Sequence, residues 1–135
     1  MSEAFDALDK YFWLVQREPE REAPDDAFDW IFMMKDDNWT ALDREWPSRP
    51  EGWRRECAYV LGEGPAGFCA PRLERAILDS NSSVALEAAR SYASLVGENP
   101  SLGPPSAPLK ERLMWLATTD ADTHAALAGL LGGAQ

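Results

Sequence analysis

The triplet Leu61-Gly62-Glu63 returns as Val96-Gly97-Glu98 35 residues later, and Leu131-Gly132-Gly133 follows at the same interval. An apolar run with helical spacing leads into each. Aligning the three glycines brings Ala58, Ala93 and Ala128 into register, then Val60, Leu95 and Leu130, then Leu61, Val96 and Leu131. A small residue ahead of an apolar pair is what close packing between neighbouring helices demands. The spacing therefore predicts one helical unit written three times, each unit burying an apolar face against the next. The glycines are expected to end helices, Gly62, Gly64 and Gly97 in the left-handed conformation.

Strand-like alternation is nearly absent, so the fold class is all-α, with about 7–8 helices in a single domain over residues 1–135. A chain of 135 residues can bury a core without disulfides or metal. Residues 1–35 hold the N-terminal helices. The first runs from about Ser2 to Glu18 with Phe5, Leu8, Phe12 and Val15 as its apolar stripe, and Glu18 to Pro24 forms an exposed loop. Asp25 and Asp26 stand as N-caps ahead of Ala27 to Met34, and Asp36 and Asp37 repeat the device ahead of a helix that must stop before Pro47. Residues 36–135 form three helix pairs, at about 36–61, 70–96 and 109–131, with the proline-rich loop 98–108 between the last two. Pro71 belongs in a first helical turn, Ser82 or Ser83 caps the helix from Val84, and Asp120 or Asp122 caps the last one.

The run from Leu73 to Gly97, LERAILDSNSSVALEAARSYASLVG, with Asp79 and Asn81 in the turn and Val84 opening the second helix, resembles one HEAT repeat. Trp53 to Gly62 is similar to the second helix of a preceding repeat and Asp120 to Gly132 to that of a following one. Trp39 and Trp46 in the first pair, and Ala85 where the family usually has Arg, depart from its pattern. The resemblance implies stacked antiparallel helix pairs in a short right-handed α-solenoid that binds macromolecules on one face.

Motifs for chemistry are missing. His124 is the single histidine, and its neighbours Asp120 and Asp122 read as a helix cap rather than metal ligands. Cys57 and Cys69 fit no metal or redox spacing and read as small buried hydrophobes. Gly62, Gly64 and Gly67 follow a helix, the wrong side for a phosphate cradle. No residue is assigned a catalytic role, no metal ligand is named, and no cofactor is expected.

Charge carries more information. The net charge is −10, and residues 1–51 hold 14 acidic against 6 basic side chains. Such a surface repels phosphate backbones, so nucleic acid and anionic membrane are poor partners and a basic protein is a better one. No apolar stretch is long enough for a membrane span, and the acidic start lacks a secretory pattern, so a cytoplasmic location is expected. Of six tryptophans, Trp46 and Trp53 read as core, whereas Trp30 and Trp39 are flanked by aspartates that must reach water. Aromatic anchors among acids make a hot spot for a basic partner, so Asp25, Asp26, Asp29, Trp30, Asp36, Asp37, Trp39 and Asp43 are the candidate partner-binding residues. The leading functional expectation is an immunity protein that inhibits a basic, nuclease-like bacterial toxin. The alternatives are a HEAT-like adaptor without inhibition and a small-molecule binder or enzyme using an aromatic cleft.

Overall fold

The computed structural model describes residues 3–17, 25–102 and 105–131, with the side chains of residues 25, 26 and 129–131 outside that description. The described residues form eight α-helices and no strand: α1 (Glu3–Arg17), α2 (Asp25–Met33), α3 (Asp36–Glu45), α4 (Glu51–Leu61), α5 (Ala66–Ile77), α6 (Ser82–Glu98), α7 (Ala107–Ala117) and α8 (Ala121–Leu131). Short 3₁₀ turns lie at Trp46–Ser48 and Pro100–Leu102. The expected loop 18–24, the side chains of Asp25 and Asp26, the orientation of Leu130 and Leu131, and the Gly132-Gly133 end lie outside the described residues; by backbone, Asp25 and Asp26 are the first two residues of α2.

The stripe Phe5, Leu8, Phe12 and Val15 is buried along α1, and Tyr11 joins it. Trp53 of α4 joins α1 to the rest of the chain. It is fully buried, meets Phe12 edge-on at 5.0 Å between ring centroids, and lies 6.4 Å from both Phe5 and Trp46. Its indole N–H donates to Asp9 Oδ1 at 2.8 Å, which satisfies the one polar atom such a ring carries inward. Asp9 is held in turn by both ends of the Arg49 guanidinium.

Beyond α4, the expected pairs α5/α6 and α7/α8 pack against each other. Helix α4 packs on α6 and α6 on α8, while α5 meets α7. Leu73, Ala76 and Ile77 of α5, Val84, Ala88, Tyr92 and Leu95 of α6, and Leu109, Leu113 and Leu116 of α7 are buried as their spacing requires. The first expected pair fails: α3 packs chiefly on α1, and α4 on α6, α1 and α5. The 3₁₀ turn with Pro47, followed by extended Pro50, turns the chain away between α3 and α4.

Several local expectations need correction. Helix α5 begins at Ala66, so Pro71 sits inside it, not in its first turn. Asp36 and Asp37 are the first two residues of α3, after an N-cap at Lys35 that makes no side-chain bond. Asn81 caps α6, accepting from the Val84 amide at 3.1 Å, in place of Ser82 or Ser83. Gly62 is right-handed, with φ −67°, and α6 runs through Gly97 to Glu98. Neither Gly64 nor Gly97 has the left-handed φ expected of it. The echo is thus weaker than its spacing promises: Ala58 is buried, Ala93 half-buried and Ala128 exposed.

Candidate partner-binding surface

The apolar run of α2 gives every side chain a claim on the core, and helical phase decides among them. Ala27, Ile31 and Met34, at steps of four and three, are buried. Phe32 and Met33 are therefore turned outward, 61% and 62% exposed, the two most exposed large apolar side chains among the described residues. Asp29 lies one turn before them, and Asp36 and Asp37 open the next helix, all three exposed. The corner between α2 and α3 thus presents an apolar centre with an acidic rim, interrupted by exposed Lys35.

The other candidates divide. Trp30 is half-buried and packs against the core. Trp39 is 2% exposed, so it is not available as a surface anchor. It stacks on Phe68 at 5.2 Å with the rings nearly parallel, and the Arg72 guanidinium lies over it at 4.8 Å. Asp43 accepts from Arg72 Nε and Nη2, at 3.0 and 2.9 Å, and from Arg75 at 2.6 Å. Trp39 and Asp43 are consumed in joining α3 to α5. Aspartate flanks misled the reading of Trp39 because on a helix the residues beside a core position point elsewhere.

A cleft of about 370 Å³ borders the corner, lined by Glu3, Ala4, Met33, Lys35, Asp37 and Asn38. Asn38 is buried and its Oδ1 accepts from the Phe5 amide at 2.9 Å, so α3 supplies an N-terminal hydrogen-bond partner for α1. Its Nδ2 donates to Asp37 at 3.2 Å.

At the far end of the chain, Asp120 Oδ2 accepts from the Thr123 amide at 2.9 Å and the Thr123 hydroxyl at 2.8 Å, capping α8 as its position suggests. Those bonds hold the Asp120 carboxyl below its ordinary range. The His124 amide continues the same turn, bonding the Asp120 carbonyl at 2.9 Å. Among the described residues no group of three or more His, Cys, Asp or Glu side chains is placed to hold a metal ion. Cys57 and Cys69 are buried free thiols. Burial pushes Cys57 well above the ordinary thiol range and Cys69 up to about 12.

These observations define an all-helical scaffold presenting an acidic, apolar corner. No family model matches the chain, and no curated protein or solved structure matches it at a significant level. Among the described residues, no helix is long and apolar enough to cross a membrane.

Proposed function

We propose that the chain is an acidic protein-binding module whose α2–α3 corner docks a basic protein, Phe32 and Met33 entering the interface and Asp29, Asp36 and Asp37 steering it. The observation that carries the reading is two large apolar side chains more than half exposed in a helix whose other apolar side chains are buried or half-buried, rimmed by carboxylates on a chain of net charge −10. Apolar centres with charged rims are how interfaces combine affinity with fast association. In its most specific form the module is a HEAT-like immunity protein that covers the basic active site of a bacterial toxin, its carboxylates standing where substrate phosphates would. A non-inhibitory adaptor would use the same surface.

A small-molecule site is less well supported. The cleft beside the corner has the size of a small ligand pocket, but Glu3, Lys35 and Asp37 line it against only Ala4 and Met33, whereas such pockets are mostly apolar. The test is affinity capture from the source organism on wild-type chain and on a Phe32→Ala/Met33→Ala double variant of unchanged circular dichroism. The reading predicts a basic protein retained by the first and lost from the second. In the immunity form, that protein is toxic when expressed alone and harmless when co-expressed with this chain. Equal retention by both would contradict the assignment of the surface.

A further inference from the structure

Helix α7 is apolar on two faces. Leu109, Leu113 and Leu116 turn to the core, and a surface helix ordinarily leaves its opposite face to polar side chains. Here that face holds Met114 and Trp115, each at least half exposed. At 3.6 residues per turn, Glu111, Met114, Trp115 and Thr118 fall within an arc of about 100°, and all four are exposed. Leu78, the C-cap of α5 and 56% exposed, adjoins them through Arg112. That guanidinium donates to the Ile77 carbonyl at 3.1 Å and the Asp79 carbonyl at 3.0 Å, on either side of Leu78, and lies over the Trp115 ring at 4.8 Å. Trp115 is therefore braced before anything meets it, which lowers the ordering cost of an interface. Exposed apolar patches mark contact surfaces, and Trp and Met are enriched at their centres.

Charge decides what covers this one. Residues 1–51 hold 14 acidic against 6 basic side chains, but residues 52–135 hold 9 against 7. Helix α2 packs on α1 and α4, whereas α7 packs on α5, α6 and α8, so the patch lies on helices other than those that frame the acidic corner. One turn before Met114 and Trp115 stand Lys110 and Glu111, both exposed and neither in an ion pair with a described residue. One free charge of each sign is self-complementary. A two-fold axis through the patch sets Lys110 of each copy against Glu111 of the other, as an isologous contact requires. A strongly basic partner would find a cation already on the Trp115 ring and one free carboxylate. A nucleic acid would find only Lys110 free on α7.

We propose that this patch is a self-association surface on which a second copy of the chain docks about a two-fold axis, with Met114 and Trp115 at the centre and reciprocal Lys110 to Glu111 ion pairs at the edge. Pairing through the nearly neutral half of the chain keeps the two strongly acidic halves out of the contact, where their repulsion would oppose it. The dimer does not depend on the identity of any basic partner. It leaves the α2–α3 corner of each copy uncovered.

Sedimentation velocity of the full chain between about 1 µM and about 1 mM, the range in which small interfaces dissociate, is the test. The wild type is expected to pass from monomer to dimer across that range. Met114→Ser/Trp115→Ser, with unchanged circular dichroism, should raise the dissociation constant about tenfold or more. Lys110→Glu and Glu111→Lys alter only exposed positions; each alone should weaken self-association about tenfold, and their equimolar mixture should restore it as a heterodimer. A wild type monomeric at every concentration would overturn the proposal. So would a dimer indifferent to all of these variants, and a mixture that fails to recover would overturn the two-fold pairing. Retention of a different protein by a monomeric wild type, lost in Met114→Ser/Trp115→Ser, would overturn it in favour of that occupant.

Discussion

Gly62 and Gly97 hold equivalent places in the 35-residue echo and do different physical work. A Cβ on Gly62 would come 2.7 Å from Ser91 Cβ and 3.1 Å from its Cα, so the glycine lets α4 lie close on α6. A Cβ on Gly97 would meet nothing within 4 Å, inside a helix and at an exposed position. Gly62→Ala is therefore expected to destabilise the fold by about 1–3 kcal/mol, as overpacking does. Gly97→Ala is expected to stabilise it by up to about 1 kcal/mol through helix propensity. Thermal melts of the two variants check both signs, and a loss at Gly97 would show that its backbone is not helical. Spacing made the glycines visible. It could not tell a close approach from a helix end, because both favour glycine. The cysteines were more legible: apolar neighbours at helical spacing placed Cys57 inward, and burial keeps both thiols protonated. Neither is expected to react with a maleimide at pH 8 in the native state, while both react in denaturant. Native-state labelling would contradict their burial.

The caps separate what a local window can and cannot reveal about an element. Asp120 ahead of α8 was readable, since capping acts within three residues. Its lowered carboxyl has a pH consequence: the stabilisation is fully present above the ordinary carboxylate range and is lost as pH falls through the depressed value. Asp120→Asn keeps an acceptor oxygen but does not titrate there, so its stability should fall less than the wild type's between about pH 5 and pH 2. Equal acid sensitivity, followed by urea denaturation, would mean that the Asp120 bonds do not contribute. Asn38 was not readable, because the amide it accepts from belongs to Phe5, 33 residues away. Asn38→Ala should cost about 1–2 kcal/mol, leaving the Phe5 amide without its acceptor. An unchanged urea midpoint would show that water replaces it.

At the scale of the molecule, the all-helical class and the inner faces from α4 to α7 followed from apolar spacing, because a helix must bury its stripe somewhere. Which helix receives it is a tertiary matter. The bulk of Trp39 and Trp46 marked the first pair as different, and the structure spends Trp39 on Phe68 and Arg72 of α5. The proposed interface accordingly centres on Phe32 and Met33 rather than on buried Trp39 and the arginine-bound Asp43, with Asp29, Asp36 and Asp37 as its acidic rim. The phase Ala27, Ile31, Met34 was the signal in the sequence that could have turned Phe32 and Met33 outward. Long-range charge adds what local contacts do not, since an acidic half of the chain attracts a basic surface before contact. The measurement that tests this most directly is the association rate of the captured partner as a function of salt, for wild type and for Asp29→Lys/Asp36→Lys/Asp37→Lys. The account predicts a rate that falls steeply with salt, and a variant about tenfold or more slower at low salt with a flatter slope. Equal rates and equal salt slopes for the two proteins would contradict it.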